Sequence, residues 1–172
     1  YDILPTDMET LNSDENIDVV VTPGLAYQYL GLNTTKKPFD NMKVRQAIAY
    51  AVDKQSIADV IFEGAATAAT SSCPPLSFGA STDVEKYDRD IEKAKELLAE
   101  AGYPDGFSTT LWCRDDQTNT EIAQFIQSNL KEINIEVKIE VMEWGSYLEK
   151  TANGEQDMYL LGWSNVTGDA NY

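Results

Sequence analysis

Histidine is absent from all 172 residues. That removes Ser-His and Cys-His nucleophiles and imidazole metal ligation, and with them much of hydrolase and metal chemistry. Long apolar runs are absent too: no stretch reaches the roughly 18 residues needed to cross a bilayer as a helix. No charged n-region followed by a small-residue cleavage site opens the chain. Basic residues are scarce, 13 against 29 acidic ones, giving a formal net charge of −16. Such a field repels phosphate backbones, so nucleic acid is excluded as a partner. It fits a solvated surface, and secondarily the attraction of a cationic ligand. There are two cysteines, Cys73 and Cys113, too far apart for a metal knuckle or a Cys-x-x-Cys redox pair. They are either two buried thiols or, in an oxidising compartment, a disulfide contributing about 4 kcal/mol.

What the sequence does contain is ordered patterning. Its length suits one domain, long enough to bury roughly 70% of the surface its unfolded form exposes. Thr6-Asp7 is placed to cap a short helix, and Ile17 to Thr22 reads as a buried strand by its β-branched run. Tyr27 to Asn33 is a second strand. Asp40 or Asn41 caps a helix with Val44, Ala47, Ile48 and Ala51 on one face. Asp53 opens another helix carrying Ile57, Val60 and Ile61, ended by Gly64. The Ala, Thr, Ser and Pro-rich stretch 65–81 is a loop. Asp88 caps a helix bearing Ile91, Ala94, Leu97, Leu98 and Ala101, and Gly102 with Pro104 stops it. Phe107 to Cys113 is a strand, Ile122 to Leu130 a helix, and 135–141 a strand of strict alternation. A short helix from Glu143, a turn at Asn153-Gly154 and an apolar strand from Met158 to Trp163 follow. This order predicts an α/β fold with largely parallel pairing. The chain opens inside a patterned segment and stops after a motif, as expected of a piece of a longer protein.

Two motifs are more specific than any periodicity. Tyr27-Gln-Tyr-Leu-Gly-Leu-Asn33 precedes Lys37-Pro-Phe-Asp-Asn-Met-Lys-Val-Arg-Gln-Ala-Ile-Ala-Tyr-Ala-Val-Asp-Lys54, and Tyr87-Asp88 opens a helix that closes on Ala101-Gly-Tyr103. Together with Glu143-Trp144 and Gly162-Trp163, they make the chain resemble the dipeptide/oligopeptide-binding proteins, the extracytoplasmic solute-binding proteins of family 5 that serve ABC importers. The resemblance covers essentially the whole chain. It implies a periplasmic-binding-protein-like lobe of type II, with a central mixed sheet flanked by helices. Residues 1–172 would be most of the C-terminal lobe, and 1–26 the crossover from an N-terminal lobe absent here. It further implies an extracytoplasmic protein, lipid-anchored, whose partners are a peptide or other small solute and the ABC permease.

Open α/β sheets bind ligands beyond the carboxyl ends of their strands. Trp112, Trp144 and Trp163 lie at such ends, where core packing is the competing assignment for each. The resemblance implies that Trp144 and Trp163 line solute side-chain pockets. In peptide-binding members an Asp three residues after the Gly-Trp tryptophan holds the solute ammonium; here that position is Val166, and Asp169 is the replacement the longer loop offers. Dipeptide binders of the family also place an arginine shortly after the Leu-Trp strand to clamp the solute carboxylate; the segment here, Leu111 to Thr118, is shorter and offers only Arg114, which suits a solvated loop as well. Tyr29, Asn33 and Asn165 complete the candidate set, with Asn33 equally suited to satisfying backbone groups. Nothing calls for a cofactor or a metal. The acidic residues sit mostly on helix faces, so no carboxylate pair stands out as a glycosidase would require, and the chain is read as a binder rather than an enzyme. A glutathione, nickel-chelate or sugar cargo stays open beside peptide. A purely structural module would be indicated by three buried tryptophans with no cleft between them.

Overall fold

The computed structural model describes residues 7–22, 24–81, 83–164 and 167–169. Its centre is a four-stranded sheet of β1 (Ala26–Leu32), β2 (Phe107–Arg114), β3 (Ile135–Met142) and β4 (Met158–Ser164), in the order β1-β4-β2-β3. β2 runs parallel to β3 and to β4, while β1 is antiparallel to β4. The helices are α1 (Met8–Asn12), α2 (Met42–Ala51), α3 (Lys54–Val60), α4 (Ile91–Glu100), α5 (Gln117–Lys131) and α6 (Trp144–Ala152). This is the mixed sheet flanked by helices that the sequence predicts.

Alternation along the strands separates two faces. Leu111 and Cys113 of β2, Ile135 and Val137 of β3, and Met158 and Leu160 of β4 belong to one core with Val44, Ala47, Ile48 and Ala51 of α2, Ala94, Leu97 and Leu98 of α4, and Ile122, Ala123, Ile126 and Leu130 of α5. The four α2 positions are those its period singles out. Burying this many aliphatic side chains, each worth about 1.5–3 kcal/mol, is what holds the layer together. Arg114, on the opposite face of β2, lies over Trp144, so α6 packs against that second face. Parallel crossovers leaving the same edge in opposite directions put their helices on opposite faces: β2 leads through α5 to β3, and β3 leads back through α6 to β4.

Several expectations are corrected. Residues 17–22 form no strand: Val20 is 73% exposed and Ile17 and Val21 are exposed as well, because nothing among the described residues pairs with this run and β-branching alone supplies no ladder. The cap of α4 is Asp90, whose carboxylate accepts from the Lys93 N–H at 2.9 Å, rather than Asp88. In α3 Ala58 is buried and Val60 exposed, since Ile57 and Ile61 already fill the inward side. The alternation of β3 holds through Val137 but not to its end, where Val141 is exposed. Both cysteines are free thiols. Cys113 packs in the core as a small hydrophobe, where burial pushes its thiol pKa up, and Cys73 sits in the 65–81 loop.

Candidate functional site

Register fixes the shape of one sheet edge. Arg114 pairs with Met142 at the ends of β2 and β3, and β4 runs in the same direction, so the carboxyl ends of three strands lie together. Antiparallel pairing brings Tyr27, at the start of β1, opposite Trp163. β2 and β3 leave this edge toward opposite faces, the arrangement in which open α/β sheets form a binding crevice.

The second face is aromatic there. Tyr27, Tyr29, Tyr159, Leu161 and Trp163 alternate onto it from β1 and β4, and Trp112 and Arg114 from β2. Tyr29 meets Tyr27 at 5.9 Å and the edge of Tyr159 at 6.0 Å. Burial, then the neighbouring Tyr159, pushes the Tyr29 hydroxyl up to about 12, so it is a neutral hydrogen-bonding group at any ordinary pH. Gly31 is required by a close approach: a Cβ there would stand 2.2 Å from the Tyr159 ring.

At the adjacent corner, Glu143 caps α6, accepting from the Gly145 N–H at 2.9 Å and the Ser146 N–H at 3.2 Å, which lowers its pKa. The cap positions Trp144, stacked on Tyr147 with centroids 5.7 Å apart and planes 14° from parallel. Tyr147 is wholly buried and donates its hydroxyl to the Leu160 carbonyl. The Arg114 guanidinium lies 5.5 Å from the Trp144 ring centroid, and its Nε–H donates to Asp116 at 2.6 Å. Trp144 and Trp163 stay 41% and 47% exposed, an unusual cost for two indoles unless something covers them.

The structure thus brings Trp144, Trp163, Arg114 and Tyr29 to one edge and one face. Asp169 follows β4 at the same edge, where Gly168 lies against Leu25 and its carbonyl accepts from the Phe78 N–H at 2.6 Å. That contact ties the 65–81 loop to the segment after β4 and leaves Phe78 81% exposed beside it. Asn165 lies outside the described residues. Two candidates are placed otherwise. Trp112 is 7% exposed, and its indole N–H is sealed from solvent with no partner among the described residues, so it is a packed residue and not part of the exposed aromatic surface. Asn33 is buried at the far end of β1. Its amide donates to the Gly154 and Gln156 carbonyls at 3.0 and 2.9 Å, and its oxygen accepts from Thr35, which makes it a structural post between β1 and β4. Sequence reasoning missed Tyr147, signalled by its i+3 spacing from Trp144, and Tyr159, signalled by its period of two with Trp163. An open depression of 390 Å³ lined by Lys37, Asp40, Asn41, Ala101 and Tyr103 lies elsewhere, toward the amino end of β2, and none of the aromatic residues above lines it.

Over residues 1–172 the chain matches the model of "Bacterial extracellular solute-binding proteins, family 5 Middle". The chain belongs to this family. It is 38% identical over 170 residues to the dipeptide-binding protein of Escherichia coli K12, covering 96% of this chain and 32% of that protein. To the glutathione-binding protein GsiB of Salmonella choleraesuis it is 40% identical over 168 residues, 94% of this chain and 33% of the relative. Among solved structures, the ABC transporter-associated periplasmic binding protein DppA from Helicobacter pylori, in complex with the peptide STSA, superposes with a TM-score of 0.87 at 43% identity, over 92% of this chain and 31% of that one. The dipeptide-binding protein from Pseudoalteromonas sp. SM9913 in complex with Met-Leu gives 0.89 at 31% identity, over 98% and 34%. The chain therefore spans about a third of the length of the family 5 relatives it matches.

Proposed function

We propose that this chain supplies one wall of a cleft in which a longer extracytoplasmic solute-binding protein captures a peptide and presents it to the permease of an ABC importer. The observation that carries this is the pair of half-exposed tryptophans, Trp144 and Trp163, on one face at the carboxyl edge of the parallel strands. Residues 1–172 act as one lobe, with 1–26 as the crossover from an N-terminal lobe that supplies the opposite wall. The task is capture and release, with no bond made or broken, at the outer face of a membrane to which a lipid anchor holds the protein. Lobe closure around the cargo is what the permease reads.

Asp169 is the group proposed to face the peptide ammonium. A charge-assisted hydrogen bond of this kind is worth about 1.5–3 kcal/mol, so Asp169→Asn in the longer protein should weaken peptide binding by that much in titration calorimetry. An unchanged dissociation constant rejects the role. Glutathione, itself a small peptide, is the second reading, favoured by the 40% identity to GsiB. The deciding experiment is the mass of small molecules released from the longer protein purified without denaturation: peptide masses support the proposal, and a sugar or a metal chelate overturns it.

A further inference from the structure

Arg114 invites assignment as the clamp on a solute's carboxylate, yet its surroundings oppose that. Its Nε–H is spent on Asp116 at 2.6 Å. Asp116 cannot swing away, because it caps α5 through the Asn119 N–H at 2.9 Å and the Asn119 side-chain amide at 2.8 Å. The guanidinium lies over Trp144, 5.5 Å from the ring centroid, and Trp144 is stacked on Tyr147, which is fixed to β4 through the Leu160 carbonyl. An arriving carboxylate would meet a cation whose charge is already matched by Asp116.

We infer that Arg114 is a positioning residue for the Trp144 wall and does not read the solute's carboxylate. The inference rests on the peptide reading above. Its chain of contacts runs from the α5 cap through Arg114 to Trp144 and Tyr147, joining β2, α6 and β4 around the aromatic surface. A cation over an indole is attracted by the negative ring face, which holds the ring plane in one orientation before any solute arrives.

The test uses the longer protein that contains this chain and titrates a peptide as its free acid and as its C-terminal amide. Arg114→Ala should weaken both by roughly 3- to 30-fold, leaving the acid-to-amide affinity ratio unchanged, and should alter the near-ultraviolet dichroism of the indole. Asp116→Asn is the second variant: it retains the Arg114 side chain but weakens the carboxylate hold that orients it over Trp144 and leaves its charge unmatched. Positioning predicts a loss shared equally by acid and amide, whereas a clamp predicts tighter binding of the acid alone. A ratio that collapses in Arg114→Ala, an acid-selective gain in Asp116→Asn, or unchanged affinity and dichroism in Arg114→Ala overturns the inference while leaving the peptide reading intact. Wild-type protein that binds neither form refutes the peptide reading and this inference with it.

Discussion

Single carboxylates set the acid limit of this molecule. Asp157 opens β4 from a half-buried position, pairing with Lys36 at 3.1 Å and accepting from the Thr110 hydroxyl at 3.0 Å. Burial pushes its carboxyl up, but the bonds from Lys36 and Thr110 outweigh this and hold the pKa below the ordinary 3.8. Asp53 is lowered chiefly by the Ser56 N–H. Asp116 is lowered by Asn119 and Arg114 against an opposing burial effect. A carboxylate depressed in the fold stabilises fully above its unfolded pKa and ceases to as pH falls through the folded one. The melting temperature should therefore stay level down to about pH 4 and drop below it. A drop beginning near pH 6 would contradict this. Asp157→Asn should cost about 1–2 kcal/mol in urea denaturation at neutral pH and flatten the acid limb.

Helix caps and strand periods show what the sequence makes legible at the level of elements. The buried face of α2 is legible to the residue, but its cap only to a choice of two: of Asp40 and Asn41, it is Asn41 whose side chain accepts from the Lys43 N–H at 2.9 Å. α4 was readable in its apolar face but not its start, since Asp88 and Asp90 are chemically identical candidates and only backbone direction selects Asp90, with φ −149° and ψ 97°. Asp90→Ala should cost about 1 kcal/mol and Asp88→Ala under about 0.5 kcal/mol in thermal denaturation, and equal costs would argue against the cap. The run 17–22 misled because β-branched residues mark compatibility with a sheet while the sheet itself is a long-range fact. The aromatic surface was half legible for a related reason. A tryptophan at a strand end is visible in one dimension, but whether it is sealed, as Trp112 is, or half-exposed, as Trp163 is, depends on what the rest of the chain packs over that strand.

At the scale of the whole molecule, a single core shared by α2, α4, α5 and three strands predicts that the 172-residue chain by itself unfolds cooperatively on heating. Its affinity for peptide should nevertheless be several powers of ten below that of the longer protein, because one wall leaves half the solute in water while the ordering cost remains. Calorimetry on the 172-residue chain checks this, and submicromolar binding would rule out a two-walled cleft. β2 and β4 share just two registered pairs, Leu111 with Met158 and Trp112 with Tyr159, whereas β1 accompanies β4 through Ser164. Past Tyr159 no registered pair among the described residues joins β4 to β2, and β1 alone accompanies the carboxyl half of β4 as a ladder partner. The backbone amides of that carboxyl half should therefore trade protons with water sooner than those of Met158 to Leu160, a difference that amide hydrogen exchange read residue by residue would show.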